Sequence, residues 1–191
     1  MKVRIIQFVL VVVIVFLGYQ LWETIQEPVR FNREKDRRME IVVQNLKDIR
    51  TAQLMYKAMN DSFANNFDTL SKFLVQGQIP VVSIKFDPAD TTLTKTINDT
   101  LGYVSVADTL FRGRENFDVT KLQYIPFSDG KIFEIEAGKI TKGGVLVPVF
   151  MAMAKKEFYL SGLPINQVRN KLVKDLIVGS MEEPTTDGNW E

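Results

Sequence analysis

An uncharged, strongly apolar run near the N-terminus constrains this chain more than any other feature of its sequence. The run is IIQFVLVVVIVFLGYQLW, residues 5–22, and it follows the short basic tail MKVR, residues 1–4. As a helix rising ~1.5 Å per residue it is about 27 Å long, close to a hydrocarbon core of roughly 30 Å. Tyr19 and Trp22 lie at its C-terminal end, where membrane proteins concentrate interfacial aromatic residues. The sequence therefore predicts a transmembrane helix at residues 5–22, with the lipid bilayer as its partner.

The same pattern of a basic start and an apolar stretch also occurs in cleaved signal peptides. A signal peptidase needs small residues at its cleavage site, whereas the run ends in the bulky Leu21 and Trp22. We therefore expect an uncleaved anchor, with a mature chain that begins at Met1 or Lys2.

The basic residues on either side of the run bear on its orientation. Lys2 and Arg4 favour a cytoplasmic N-terminus, which puts the remaining chain outside the bacterial inner membrane, in the periplasm. The opposite flank is also basic, and this opposes that orientation: Arg30, Arg33, Lys35, Arg37 and Arg38. We expect a single-pass protein with its soluble domain in the periplasm.

Composition argues against two broad function classes. The chain has 24 basic and 23 acidic residues, a formal net charge of +1, so it lacks the strong positive field of a nucleic-acid-binding protein. It has no histidine and no cysteine, which removes the commonest general base, thiolate chemistry and the usual ligands of transition metals. We expect no enzyme activity, no cofactor and no nucleic-acid partner.

A long helix is predicted at residues 23–59, after the anchor. Its first part is nearly all charged, and apolar residues then recur at steps that place them on one helical face: Met39, Val42, Leu46, Ile49 and Tyr56. This stripe is either the packing face of the helix in its own domain or a seam for a partner. Pro28 is a candidate site for a kink.

The region 60–180 is predicted to be an α+β domain with mostly antiparallel strands, against which the long amphipathic helix packs. A short helix is expected at residues 67–75, capped by Asn65 or Asn66, because its apolar residues share one face. Strands are expected at residues 79–86, 92–97, 103–111, 145–153, 158–160 and 175–178, and a hairpin at residues 122–137 around Asp129-Gly130. Gly143-Gly144 is a second turn, and Pro148 should lie at a strand edge or bulge. The tail, residues 181–191, is predicted to be loosely ordered.

Clusters of polar residues yield only weak candidates for chemistry. Glu134 and Glu136 alternate along one predicted strand, which is typical of a solvent face. Several acidic residues could supply oxygen ligands to calcium, but without the spacing of a known loop: Asp87, Asp90, Glu182, Glu183 and Asp187. An Asp-Thr pair recurs in the form that some periplasmic O-glycosylation systems accept, which makes candidates of Thr69, Thr91, Thr100 and Thr109.

The layout of an apolar helix, an amphipathic helix and then a sheet resembles that of type IV pilins and type II secretion pseudopilins. The local pattern that carries the resemblance is NLKDIRTAQLMYKAMNDSFANNFDTLSKFL, residues 45–74, through Leu46, Ile49, Ala52, Tyr56, Phe63, Phe67 and Leu70. The glycine and glutamate of a prepilin cleavage site are not found around the start of the apolar run. The resemblance therefore implies a pilin-like relative that keeps its anchor in the membrane.

These observations lead to a non-enzymatic structural or assembly component of a bacterial envelope machine, with protein partners or self-association in the membrane. Two alternatives stay open. One is an inner-membrane platform protein with a ferredoxin-like domain, which would repeat the order β-α-β-β. The other is an anchored module for a small ligand or peptide, which would have a concave apolar pocket with convergent polar groups.

Overall fold

The computed structural model describes residues 2–86, 96–114 and 117–191, and within them the chain is α+β, as the sequence predicts. The helices are α1 (Lys2–Asn60), α2 (Phe67–Gln76), α3 (Val106–Phe111), α4 (Lys156–Tyr159) and α5 (Ile165–Val168). The strands are β1 (Gln78–Phe86), β2 (Thr96–Ser105), β3 (Glu134–Lys142), β4 (Val145–Ala154) and β5 (Leu176–Gly179). A 3-10 turn lies at Val119–Lys121.

The long helix α1 joins the predicted anchor and the predicted amphipathic segment without interruption. It has 59 residues and runs through Pro28, so it is roughly 88 Å long. It ends at Asn60, where Asp61 adopts a positive φ of 54° and returns its N–H to the carbonyl of Lys57 at 2.9 Å. The polar sequence after Met59 therefore ends the helix, as we expected.

The described strands form two separate antiparallel sheets, β1-β2 and β3-β4-β5. Gly143 and Gly144 connect β3 to β4 with φ angles of 61° and 81°, which confirms the predicted second turn. Pro148 pairs with Lys139 of β3, and β5 pairs with β4 only from Met151 onwards. Pro148 thus lies in the part of β4 that β5 does not reach. On that side of β4 the proline's missing N–H has no strand partner to lose.

One buried cluster forms the core, and most elements contribute to it. From α1 it takes the middle of the apolar stripe, including Val42, Leu46 and Ile49, each with no exposed surface. From the sheet β3-β4-β5 it takes Phe150, Ala152, Ala154, Leu176 and Val178, and from α2 it takes Phe67, Leu70 and Leu74. The predicted helix at residues 67–75 is confirmed as α2, and its cap is Asn66, whose side chain accepts the N–H of Thr69 at 2.8 Å.

Two of the predicted strands are wrong. Of the strand predicted at residues 103–111, only residues 103–105 belong to β2, and α3 follows because the Ser105 hydroxyl caps the N–H of Asp108. In place of a strand at residues 158–160, α4 forms and buries the consecutive residues Tyr159 and Leu160. A strand would point these neighbours to opposite faces, whereas one helical turn lets both enter the core.

The predicted hairpin at residues 122–137 forms only near its turn. Asp129 and Gly130 take positive φ angles of 50° and 82°, as predicted, and a single bridge joins Tyr124 to Ile132. The arm after the turn continues as β3, which pairs with β4. The arm before the turn does not extend into a strand. Of the predicted strand at residues 92–97, β2 includes the last two, and residues 92–95 lie outside the described residues.

The C-terminal segment differs from the loosely ordered tail that we expected at residues 181–191. Gly188 forms a bridge with Val178, and Asn189 donates from its side chain to the carbonyl of Asp175 at 2.8 Å. Trp190 packs against the core, and Glu191 forms an ion pair with Arg50 of α1 at 2.8 Å. The polar composition of residues 181–191 suggested disorder. The residues that hold this segment in place are distant in sequence, so the local pattern did not reveal them.

Candidate functional site

The first part of α1 exposes large apolar side chains. Among the described residues, α1 alone is long and apolar enough to cross a membrane, and none of its most apolar window is buried in the protein. Tyr19 and Trp22, the predicted interfacial residues, are 64% and 65% exposed. This exposure separates the segment from the core helix of a soluble domain, whose apolar residues are covered by protein.

The predicted stripe on α1 lies against the domain's own core. Val42, Leu46 and Ile49 are fully buried there, and Met39 and Tyr56 are partly buried against the same cluster. Tyr56 also contacts the ring of Phe73 edge-on, with 5.1 Å between ring centroids. Within this chain the middle of the stripe is therefore a packing face.

A second contact region lies close to the predicted anchor, where residues 159–168 contact α1. Arg38 donates to the carbonyl oxygens of Tyr159 and Ser161, at 3.3 Å and 2.8 Å. Eleven residues earlier on α1, Glu27 accepts a hydrogen bond from the side chain of Gln167 at 3.2 Å. We call residues 159–168 the brace, because they contact α1 on both sides of Pro28.

Glu34 organises the charged side chains beside the brace. It accepts hydrogen bonds from Arg37 at 2.7 Å and from Arg38 at 2.8 Å. These bonds, from Arg37 first and Arg38 second, lower the pKa of Glu34 from 4.5 to about 2. The carboxylate is therefore ionised at neutral pH, and it holds Arg38 in position to bind the carbonyls of the brace.

Between the brace and α1 lies an open cleft of about 540 Å³. We call it the brace cleft, and it is lined by Tyr19, Trp22, Gln26, Glu27, Arg30, Phe31, Glu34, Leu163 and Pro164. Phe31 forms its floor and is only 6% exposed, because it belongs to the same buried cluster as Leu160 and Val168. The cleft thus connects the predicted interfacial aromatic residues to the folded domain.

The two-stranded sheet β1-β2 is a second exposed surface. Its register runs from Gln78 opposite Ser105 to Phe86 opposite Thr96, with an irregularity between Val81 and Val82. Apolar side chains on it are exposed in unusual number: Val81, Val82, Ile84, Leu101 and Tyr103. A two-stranded ribbon with apolar residues and open edges can pair with a further strand, so it is a candidate partner surface.

Two buried polar residues of α1 were missed by the sequence reasoning. Asp48 is 4% exposed and accepts a bidentate pair of bonds from Arg114, at 2.5 Å and 2.8 Å, and its bond raises the pKa of Arg114. Gln53 is fully buried, and its amide both donates to the carbonyl of Ala64 and accepts its N–H, at 2.8 Å and 2.9 Å. Both residues bind loops to α1. Their only sequence signal is a polar residue next to the apolar stripe.

The candidate glycosylation sites fall in different surroundings. Thr100 is exposed on β2, and Thr109 is exposed on α3, where its hydroxyl donates to the carbonyl of Ser105 at 2.9 Å. Thr69 is half-buried in the first turn of α2, and Thr91 lies outside the described residues. The three described threonines thus lie on three different elements, β2, α3 and α2.

The acidic residues do not form a metal centre in the part of the chain that the structure describes, where no group of three or more possible ligands could hold an ion. Of the calcium candidates, Asp87 and Asp90 lie outside the described residues. Glu134 pairs with Lys155, which raises the pKa of that lysine, and Glu136 is exposed on β3. Comparison with known proteins finds no matching family model, no matching curated protein and no matching solved structure.

Proposed function

We propose that this chain is a non-enzymatic structural or assembly component of a bacterial envelope machine, anchored in the inner membrane and pilin-like in layout. The observation that supports this best is the division of α1 into two halves. Its first half exposes apolar side chains such as Leu17 and Trp22, and its second half supplies Leu46 and Ile49 to the core. One continuous helix that exposes apolar side chains at one end and buries them at the other is suited to couple a bilayer to a domain.

The second half of α1 is proposed to pack on the sheet β3-β4-β5 as the long helix of a pilin packs on its sheet. Support comes from the shared buried cluster, which contains Leu46 of α1 with Phe150 of β4 and Val178 of β5. It also comes from Arg50, which donates at 3.3 Å to the carbonyl of Thr186 in the C-terminal segment, seven residues beyond the end of β5. The proposed packing of α1 on the sheet is thus supported by apolar residues of one buried cluster, and a polar contact holds the C-terminal segment to the same helix.

The order of elements favours this proposal over a platform protein with a ferredoxin-like domain. That domain would need β-α-β-β repeats, in which strands from both halves join one sheet. Here the described elements begin with two helices, and the strands that follow pair as neighbours into two sheets. The pilin-like order, with helices first and antiparallel strands after them, accounts for this topology directly.

Membrane anchoring and orientation can be tested in the native host. The full chain should stay in the membrane fraction after alkaline carbonate extraction, because an apolar helix that crosses the bilayer is not held by charge. Protease added to spheroplasts should digest the domain and leave a small membrane fragment, whereas intact cells should protect it. Release by carbonate would contradict the anchor, and protection of the domain in spheroplasts would contradict the periplasmic side.

Self-association in the membrane can be tested because the chain contains no cysteine. Single cysteines are placed at positions 10–17 of α1 and oxidised in native membranes. If anchors pack together, disulfide-linked dimers should form at positions that recur with a helical period. Matched single cysteines at the exposed positions Leu146 and Ile132 control for random collision. Dimers no more abundant than in these controls would contradict self-association through the anchor.

A further inference from the structure

We propose that residues 163–168 of the brace rest in the headgroup layer of the bilayer, as a second lipid contact of the soluble domain. The inference rests on the proposed anchoring of α1, and it adds the depth and orientation of the domain. The brace is covalently distant from the anchor, yet Leu163 and Pro164 line one cleft with Tyr19 and Trp22. Whatever surrounds that end of α1 therefore also meets the brace.

The depth of the brace follows from the geometry of one helix. Glu27 lies five residues beyond Trp22, which is ~7.5 Å along the axis at 1.5 Å per residue. The interfacial layer extends about 5–7.5 Å beyond the hydrocarbon core on each side. Gln167 bonds Glu27 at 3.2 Å, so α5 lies at the outer edge of that layer when Trp22 is at its inner edge. Leu163 and Pro164 line the same cleft as Trp22, so they face the same surroundings.

The chemistry of the surface fits lipid. Ile165 is 57% exposed and Leu172 is 85% exposed, although both are large and apolar. Residues 161–174 contain Arg169, Lys171 and Lys174 and no aspartate or glutamate. Apolar side chains beside exposed cations are typical of segments that lie in a membrane interface, where the cations meet phosphate groups.

The brace also compensates for a weak point in α1. Pro28 lies between the anchor and the domain and removes one backbone hydrogen-bond donor from α1. A helix bends most readily at a proline. The contacts of the brace bracket it, with Gln167 on Glu27 before the proline and the carbonyl of Ser161 on Arg38 after it. A brace that is seated on lipid would hold the domain at one tilt to the membrane.

Site-directed spin labelling of the full chain tests this inference. The chain has no cysteine, so Ile165→Cys gives a single labelling site at an exposed position. The labelled protein is reconstituted in bilayers that contain phosphatidylglycerol, and the accessibility of the label to oxygen and to a water-soluble nickel complex is measured. Oxygen concentrates in lipid and the nickel complex in water, so their ratio reports depth.

Two matched variants complete the experiment. Val15→Cys, 66% exposed in the middle of the predicted span, reports the anchor. Leu146→Cys, also 66% exposed, lies at the start of β4, whereas the other end of β4 leads into α4 and the brace. At ~3.3 Å per residue, Leu146 is about 26 Å along the strand from Ala154, so it serves as the aqueous control.

The expected result is a high oxygen-to-nickel ratio at position 15, an intermediate ratio at position 165 and a low ratio at position 146. A ratio at position 165 equal to that at position 146, with position 15 still in lipid, would overturn the proposed seating of the brace and leave the anchor intact. A low ratio at position 15 would overturn the anchor, and the seating of the brace with it.

Discussion

Truncation of Leu46 to alanine tests whether the apolar stripe of α1 packs in the domain's own core or binds a partner protein. Leu46 has no exposed surface and belongs to the main buried cluster. The substitution removes three carbons, which at about 0.8 kcal/mol each amounts to roughly 2.4 kcal/mol of transfer free energy. The cavity that remains adds to this cost, so we expect the free energy of unfolding to fall by about 3–5 kcal/mol.

The control is the same substitution at Leu54, which lies eight residues further along α1 and is 42% exposed. Its cost should be about 1 kcal/mol or less, because much of its surface stays in water in the folded state. Urea unfolding of the full chain in detergent, followed by the fluorescence of Trp190 in a Trp22→Phe background, measures both. Equal and small losses for Leu46→Ala and Leu54→Ala would refute the packing role and favour a seam for a partner.

Three further substitutions test the buried polar contacts and one titration. Arg114→Met should lower the free energy of unfolding by about 2–3 kcal/mol, because it leaves the buried carboxylate of Asp48 without its charged donor. Gln53→Met should cost about 2–4 kcal/mol, since the N–H and carbonyl of Ala64 both lose their buried partner. The pKa of Tyr159 is raised from 10.0 to about 12, first by burial and then by the charge of Asp175. The neutral phenol therefore contributes folding stability that is present below pH 10 and is lost as the pH rises to about 12. Over that pH range the free energy of unfolding of Tyr159→Phe should therefore fall by about 2–3 kcal/mol less than that of the unchanged chain.

Matched variants at exposed positions control these three measurements by urea unfolding. Arg112→Met removes a guanidinium two residues from Arg114 on the surface, and Gln76→Met removes an exposed amide of α2. Tyr103→Phe removes a phenol that is 66% exposed. Each should change the free energy of unfolding by less than about 0.5 kcal/mol. A buried variant that behaves like its exposed control would show that the corresponding contact does not stabilise the fold.

Features with a local physical cause were predictable. The helix α2 was predicted within one residue of its end, because its apolar residues repeat with a helical period and Asn66 can cap it. The turn at Gly143-Gly144 was predicted because two positive φ angles in a row are easily adopted only by glycine. In both cases the information lies within a few residues of the structure that it specifies.

Features that depend on distant partners were not predictable in this way. The pattern of residues 103–111 is rich in β-branched and aromatic side chains, yet Val106 and Phe111 are buried on a short helix that packs against α2. Asp48 and Gln53 were not singled out from the sequence, and they are buried because Arg114, 66 residues away, and Ala64, 11 residues away, satisfy them. Propensity is a weak guide where packing and polar satisfaction decide.

The sequence by itself determined the apolar run at residues 5–22, the helical stripe after it and the α+β class, because hydropathy and its period are properties of consecutive residues. Only the tertiary structure decided that the stripe faces the domain's own core, that the C-terminal segment joins Arg50, and that residues 159–168 return to α1 beside Trp22. These three outcomes depend on which distant surfaces meet, and contacts between residues more than a hundred positions apart leave no periodic trace in the chain.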